Sequence, residues 1–364
     1  MSELLLNLEN NAWKDGNYPF ILGQRLGLHD SMNVAHPKVF ELYKRQKKID
    51  WDETEVSLGE SRMDMERAPK SIIDLMVKNL SYQWEFDSAA SRSFATLLAP
   101  FITNSEFWAA QSKNQEIEVL HALTYSEIVR QCIPDVNVIF RSITENEKIT
   151  NRSRVVFEVL EDLARAGAEY TLGLVKNDQA LYNRVFKGIF TMYLAERLQF
   201  MSSFATTFIT AEQGYFVGIC KLVQKIAIDE LTVHATVLEY VLKKMIQTDI
   251  RAQIALQDCW VELNKIFHAV QSTEYAWSKY IFTEGRKAVG LTTDLLVDWV
   301  DYNSYFAAQP LGLVAPMTSI TIPLPYMKNW LDIDSIQNAN QEGDNTNYVK
   351  IHAVDDLADD FVLE

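Results

Sequence analysis

The stretch Gln115-Glu-Ile-Glu118-Val-Leu-His121-Ala-Leu-Thr-Tyr125-Ser-Glu-Ile128 decides how this chain is interpreted. On an α-helix, at about 100° per residue, His121 lies about 60° from Glu118 and Tyr125 about 20° from it. A carboxylate, an imidazole and a phenol therefore share one stripe. Its neighbours are mostly apolar, which predicts that the stripe faces a core: Leu120, Leu123 and Ile128, with Thr124. Burying an ionised carboxylate is costly unless it is paired or bound to a metal, so the stretch predicts a functional site.

Glu-x-x-His alone is a weak signal, because a lone buried histidine is more often a hydrogen-bonded core residue than a ligand. Further carboxylates occur in other apolar helical segments. Asp87 follows an apolar run, although a lone aspartate there could also cap a helix or face solvent. Glu196 interrupts a helix that is apolar nearly all round, which predicts complete burial, and the adjacent Arg197 points elsewhere. Glu230 and His234 also have apolar neighbours.

The apolar periodicity predicts helices almost throughout, and no strand–helix alternation is present. We expect an all-α protein with three parts: an extended N-terminal arm over 1–35, a helical domain over 36–331 and a flexible tail over 332–364. The helices are predicted over 37–48, 68–99, 104 to about 134, 150–176, 181 to about 212, 215–245, 249–288 and 291–308, and a last short ordered piece over 326–331.

Composition limits the possible functions. The 364 residues are 48% hydrophobic, enough for a large core. A formal net charge of −15 argues against nucleic acid or an anionic membrane as partner. The charge would suit a basic groove on another protein, although solubility alone also explains it. Three widely spaced cysteines, no signal peptide and no apolar run of membrane-spanning length predict a soluble protein of the reducing cytoplasm.

Combined, the acidic and histidine residues form a specific pattern. Four helices carry Asp87, Glu118 with His121, Glu196, and Glu230 with His234. This set matches the ligands of ferritin-like di-iron bundles, in which two helices each give one carboxylate and two others each give a Glu/His pair. Four carboxylates neutralise two divalent cations, and one imidazole per metal suits iron or manganese. We therefore predict a ferritin-like bundle with a di-metal carboxylate site.

Over roughly residues 30–364, the chain resembles the small, radical-generating subunit of class I ribonucleotide reductase, of the tyrosyl-radical type. The motifs that carry the resemblance are the Trp51–Val56 segment, Tyr-Gln-x-x-x-Asp87, Glu118-x-x-His121-x-x-x-Tyr125, Glu196-x-x-x-Phe200-x-x-x-Phe204, Ile226-Ala-x-Asp229-Glu230 with His234, the Pro/aromatic stretch 323–331 and the acidic tail with Tyr348.

The resemblance implies the following roles. One iron would be held by Asp87, Glu118 and His121, and the other by Glu196, Glu230 and His234, with Glu118 and Glu230 as bridges. Oxygen would react there to leave a stable radical on Tyr125, in a pocket formed by Phe200, Phe204 and Ile226. Trp51, Asp229 and His121 would begin a radical-transfer chain that Tyr348 continues toward the large catalytic subunit, which residues 355–364 would bind. The protein would be a homodimer, and manganese or a mixed Mn/Fe pair could replace iron.

The resemblance leaves some alternatives open. Trp51 could be an ordinary core tryptophan, and Tyr125 a core tyrosine hydrogen-bonded to Asp87 or to a ligand. The tail could be a plain acidic tail, although its Leu357, Phe361 and Leu363 favour a partner-binding peptide. A di-iron oxidase or monooxygenase that acts on a small molecule is a rival function. An iron-storage or purely structural bundle ranks last.

One departure from the family pattern yields a structural prediction. The family spaces its second Glu and His three apart, whereas Glu230 and His234 are four apart. A regular helix would rotate the imidazole about 100° from its expected place. A one-residue π-bulge would largely undo that rotation, and such bulges favour functional sites. We therefore predict a π-type turn at 229–235, with both residues still ligands.

Overall fold

The computed structural model describes residues 7–10, 19–25, 27–29, 32, 34–315 and 321–332. By internal contacts the chain divides into Met1–Leu331 and Asp332–Glu364. The predicted roles of the three segments stay predictions, and Tyr348 and the tail 355–364 lie outside the described residues.

The described part is built of α-helices, which confirms the all-α fold. Two five-residue π-helical turns, Ala195–Gln199 and Glu230–His234, are inserted into the helical chain. The helices are α1 (Pro37–Lys48), α2 (Gly59–Arg67), α3 (Lys70–Leu98), α4 (Ser105–Cys132), α5 (Asn137–Glu145), α6 (Glu147–Thr171), α7 (Gln179–Leu194), α8 (Met201–Glu212), α9 (Val217–Asp229), α10 (Ala235–Thr248), α11 (Ile250–Asp258), α12 (Trp260–Tyr280), α13 (Thr293–Ala308) and α14 (Pro325–Trp330), with a 3₁₀ turn at Gln309–Leu311.

The central helix α4 begins and ends where its sequence requires. The Asn104 side chain caps its first turn by accepting a hydrogen bond from the Phe107 N–H at 2.8 Å. The helix stops two residues before Pro134, which cannot continue a helix. Helix α4 packs along α3 and α1, and the two π-turns contact each other. Glu118 of α4 reaches the second turn, where its Oε1 lies 2.9 Å from Nδ1 of His234.

Several helix predictions were wrong in detail. Helices α2 and α5 were not expected, and the predicted helix over 249–288 is two helices that break at Cys259 and end at Tyr280. The segment after Tyr280 turns at Gly285 and Gly290, whose positive φ angles of 78° and 83° suit glycine. The predicted helix over 181–212 is interrupted by the first π-turn.

The arm and the stripe differ in part from expectation. Among the described residues of the arm, Phe20, Ile21 and Leu22 are buried, and the Leu22 N–H donates to the Phe101 carbonyl. In α4, Leu123 is 52% exposed and does not face the core. Leu123 is five residues after Glu118, about 140° round the helix, so it points away from the buried carboxylate.

None of the described helices is long and apolar enough to cross a membrane.

Candidate metal centre

The predicted ligands come together in the interior as two overlapping clusters. Candidate ligand atoms of each cluster lie within 4.8 Å of one another, and every residue in them is buried. One cluster contains Asp87, His121 and Glu230, and the other contains Glu118, Glu196, Glu230 and His234. Glu230 belongs to both. Glu118 is grouped with the second cluster, but its Oε2 atom is only 3.7 Å from Nδ1 of His121 in the first.

The second π-turn, Glu230–His234, is the predicted one, and its presence is confirmed. Its widened spacing is shown by the Ala235 N–H, which donates to the Glu230 carbonyl five residues earlier. The turn brings the carboxylate of Glu230 and the imidazole of His234 into the same cluster despite their four-residue spacing.

The first π-turn, Ala195–Gln199, was not predicted. It carries Glu196, which is buried as expected. As also expected, the adjacent Arg197 points away from the cluster, because its Nη1 donates to Oδ1 of Asn303 at 2.7 Å. Glu196 has no histidine within one turn whose spacing could have revealed the bulge.

The cluster residues fit a pair of metal ions. Among the described residues, eight buried atoms of the six side chains make no hydrogen bond: both oxygens of Asp87 and Glu230, one oxygen each of Glu118 and Glu196, Nδ1 of His121 and Nε2 of His234. His121 Nδ1 lies 3.1 Å from Glu230 Oε1 without a hydrogen bond between them. Buried polar atoms normally make hydrogen bonds. Ligand atoms that make none and lie together in two overlapping clusters are suited to binding cations.

The electrostatics lead to the same conclusion. Burial and the charges of Glu230 and Glu118 raise the pKa of Asp87 well above its usual range. Burial also raises the pKa of Glu230, with Glu118 next in effect. Burial alone would raise the pKa of Glu118, but the nearby imidazole of His121 and the hydrogen bond with His234 lower it to about 2. Asp87 and Glu230 therefore resist ionisation unless positive charge lies beside them.

Tyr125 lies beside this centre and is shielded from solvent. It is fully buried, and its hydroxyl has no hydrogen-bond partner among the described residues. The structure thus lacks the hydrogen bond to Asp87 or another ligand that a plain core tyrosine would make. Burial, followed by the charges of Asp87, Glu230 and Glu118, raises the pKa of Tyr125 well above its ordinary value. The phenol is therefore neutral and close to the carboxylates.

The predicted pocket residues Phe200, Phe204 and Ile226 are all buried. Phe200 and Phe204 stack with centroids 5.4 Å apart, and the Phe200 ring also meets Phe86 edge-on at 4.9 Å. Their role as the pocket of Tyr125 remains a prediction.

Trp51, Asp229 and His121 form one hydrogen-bonded chain. The Trp51 indole N–H donates to Asp229 Oδ2 at 2.7 Å, and Nε2 of His121 is 3.2 Å from the same oxygen. Gln46 donates to the other oxygen of Asp229 at 2.8 Å. Sequence reasoning missed Gln46, because nothing near it in α1 marks it as a partner of a residue 183 positions away.

The fold and this centre define a class of protein: a ferritin-like helical bundle with a carboxylate- and histidine-lined di-metal site. The model of the family described as "Ribonucleotide reductase, small chain" matches residues 29–316. The chain belongs to this family, as its motifs predicted.

Individual proteins that are similar to this chain support the same family. The ribonucleoside-diphosphate reductase subunit beta of Haemophilus influenzae is 27% identical over 344 residues, which cover 91% of each chain. The ribonucleotide reductase R2 subunit from Clostridium botulinum has a similar fold, with a TM-score of 0.75 at 18% identity, covering 86% of this chain and 94% of that one. A mutant R2-like ligand-binding oxidase with a Mn/Fe cofactor is also similar, with a TM-score of 0.59 at 14% identity, covering 77% of this chain and 95% of that one. The predicted role of radical-generating small subunit is confirmed; the metal is not identified by these similarities.

Proposed function

We propose that Asp87, His121 and Glu230 hold one metal ion, that Glu118, Glu196, Glu230 and His234 hold the other, and that Glu118 and Glu230 bridge the two ions. The observation that carries this proposal is the pair of buried clusters that share Glu230 and leave their ligand atoms without hydrogen bonds. Carboxylate oxygens and imidazole nitrogens suit both iron and manganese. We propose two irons per chain, as the tyrosyl-radical type implies.

We further propose that Tyr125 carries the stable radical. With oxygen, the bound metal pair supplies the oxidising power for a one-electron oxidation of a phenol. Tyr125 would lose one electron and its phenolic proton, and the proton would go to the carboxylates, of which Asp87 acts most strongly on the pKa of the phenol. The buried setting, with Phe200, Phe204 and Ile226 as the proposed pocket, would keep reductants and water away from the radical.

The Trp51–Asp229–His121 chain is the proposed first segment of radical transfer. Asp229 accepts a hydrogen bond from the indole of Trp51 and also contacts His121, which itself lies in a metal cluster. We propose that Tyr348 continues the transfer and that residues 355–364 bind the large catalytic subunit, which reduces ribonucleotides. A homodimer and a cytoplasmic location complete the proposal; all three cysteines are free thiols, which suits a reducing compartment.

The rival function, an oxidase that acts on its own small-molecule substrate, is not favoured. The relatives that align over nine-tenths of the chain are reductase beta subunits, whereas the oxidase resembles this chain only in fold.

The proposal is tested by adding ferrous iron and oxygen to metal-free protein, then recording absorption and EPR spectra with metal counts. Wild type should bind about two irons per chain and form a tyrosyl radical, and Tyr125→Phe should bind the same iron without the radical. Tyr193→Phe is the matched control, because Tyr193 is equally buried but lies in α7 with its hydroxyl 3.4 Å from the Phe306 carbonyl. A radical that persists in Tyr125→Phe, or that is lost in Tyr193→Phe, would refute the assignment to Tyr125.

A further inference from the structure

A row of redox-active rings other than Trp51 begins beside the proposed pocket of Tyr125. Tyr82 is fully buried, and its ring centroid lies 6.2 Å from that of Phe200, one of the residues of the proposed Tyr125 pocket. The Tyr82 ring lies 5.4 Å from Trp277, which in turn lies 5.4 Å from Tyr280. Tyr280 is only half-buried. The three rings thus extend from the neighbourhood of the radical toward the surface.

Electrons could travel along this row and destroy the radical. Trp277 or Tyr82 would give up one electron, and Tyr125 would take that electron together with the proton held by the carboxylates and become an ordinary phenol again. Tyr280 would then give an electron to the oxidised inner ring and become oxidised itself, at a position that reductants in solution can reach. A protein that stores a radical on Tyr125 has to make this transfer unfavourable.

An arginine lies against both inner rings of the row. The Arg152 guanidinium is 3.7 Å from the centroid of Tyr82 and 4.5 Å from that of Trp277. A second guanidinium, that of Arg286, is 4.9 Å from Tyr280. A cation over a ring face is attracted to its electrons, most strongly where water is excluded. The same cation repels the positive charge that the ring would carry after it loses an electron.

Arg152 is held rigidly in this position. Its Nε and Nη2 donate to the two carboxylate oxygens of Glu274 at 2.6 and 2.8 Å, and Nη2 also donates to the Gln199 carbonyl at 2.8 Å. Glu274 therefore balances the charge at the edge of the guanidinium, whereas the rings lie against its faces. The positive guanidinium is in direct contact with both Tyr82 and Trp277.

The inner rings also lack a good proton acceptor. The Trp277 indole N–H has no hydrogen-bond partner among the described residues, and the Tyr82 hydroxyl reaches only the Gln199 carbonyl, at 3.5 Å. A carbonyl is a poor base, so an electron lost from either ring would leave an unrelieved positive charge beside Arg152.

Trp51, on the proposed transfer path, has the opposite surroundings. Its indole N–H donates to the carboxylate of Asp229, which can stabilise the positive charge or accept the proton. Lys225 is also near Trp51, but at 5.8 Å and paired with Glu55 at 2.7 Å. The indole with the carboxylate partner is thus the easier one to oxidise.

We propose that Arg152 is an electrostatic guard that prevents Tyr82 and Trp277 from reducing the radical, so that the radical leaves Tyr125 only by way of Trp51. This inference rests on the proposed function of Tyr125. Arg152 touches neither the metal ligands nor Tyr125, and it acts through the two aromatic rings.

The test compares two substitutions after loading with ferrous iron and oxygen. Arg152→Lys keeps the charge, whereas Arg152→Met with Glu274→Gln removes both charges and leaves no unpaired buried ion. In the paired variant we expect the EPR half-life of the radical to fall about tenfold, equivalent to about 1.4 kcal/mol. Oxidised Trp277 and Tyr280 should appear in peptide mass spectra. Arg152→Lys should behave like wild type.

Adding Trp277→Phe to the paired variant should restore the half-life of the radical, because it replaces the oxidisable indole through which the electron passes. An unchanged half-life and unchanged products in the paired variant, at wild-type iron content, would overturn the guard role. If that variant does not fold, Arg152→Gln with Glu274→Gln keeps amide hydrogen bonds and is judged by the same two readouts. If wild type forms no radical at all after loading, the proposed function of Tyr125 is refuted instead.

Discussion

The two π-turns place carboxylates in the same buried centre, but only one of them can be detected in the sequence. In the turn Glu230–His234, two functional residues flank the extra residue, and their four-residue spacing departs from the family pattern. In the turn Ala195–Gln199, Glu196 is the only functional residue, so no spacing is disturbed. A bulge is therefore visible in a sequence only when residues of known relative position lie on both sides of it.

The two turns also differ in what stabilises them. The first is held by other helices: the Gln199 side chain donates to the Arg152 carbonyl at 2.5 Å, and Arg152 donates back to the Gln199 carbonyl at 2.8 Å. The second has a local hydrogen bond as well, since Thr236 donates to the Leu231 carbonyl five residues earlier at 3.1 Å, in addition to the 2.9 Å contact of His234 with Glu118 of α4. Long-range partners such as Arg152 leave no local signal, which is a further reason that the first turn was missed.

Deleting one residue from the second turn should be tolerated. A π-turn contains one residue more than a regular helix needs, so deletion of Thr232 should convert it to α-helix while both flanks keep their faces. Glu230 would then be three residues from the histidine, as in the family pattern. We expect a folded protein that still binds about two irons, measured by circular dichroism and metal counts.

The matched control is deletion of Val159, also half-buried but in the middle of the regular helix α6. This deletion rotates one half of the helix by about 100° relative to the other and should abolish folding. Equal damage from the two deletions would contradict the view that the second turn holds a dispensable residue.

The membership of Glu230 in both clusters predicts that substitutions in the two turns have different effects on metal content. Glu230 belongs to both clusters, whereas Glu196 belongs to one. Glu230→Ala should therefore lose both ions, and Glu196→Ala should keep about one ion per chain, measured by elemental analysis after loading. If both variants kept the same number of ions, Glu230 would not be a bridge.

Much of this molecule could be predicted because the relevant signals are local. The helices with strong apolar periodicity, such as α1 and α3, were predicted nearly to their ends, and the six candidate ligands lie where their helices were expected to bring them. The misses have physical causes. Helix α2 has few apolar residues to show a period, and Gln46 and Arg152 act on partners that only the tertiary structure brings near.

The smallest expected effect concerns the side chain that spans the second turn. Thr236→Val removes the hydroxyl that donates to the Leu231 carbonyl and keeps the shape of the side chain, so the free energy of unfolding should fall by about 1 kcal/mol. Thr248→Val is the control, because the Thr248 hydroxyl donates to the Lys244 carbonyl four residues earlier at the exposed end of α10, and surface changes of this kind cost less than about 0.5 kcal/mol. Both values come from denaturant unfolding of metal-free protein, in which metal ions cannot hold the turn together. If the two substitutions lowered the free energy of unfolding equally, the hydroxyl of Thr236 would add nothing to the stability of the turn. The second turn, like the first, would then depend on partners from other helices, such as Glu118, whose Oε1 lies 2.9 Å from Nδ1 of His234.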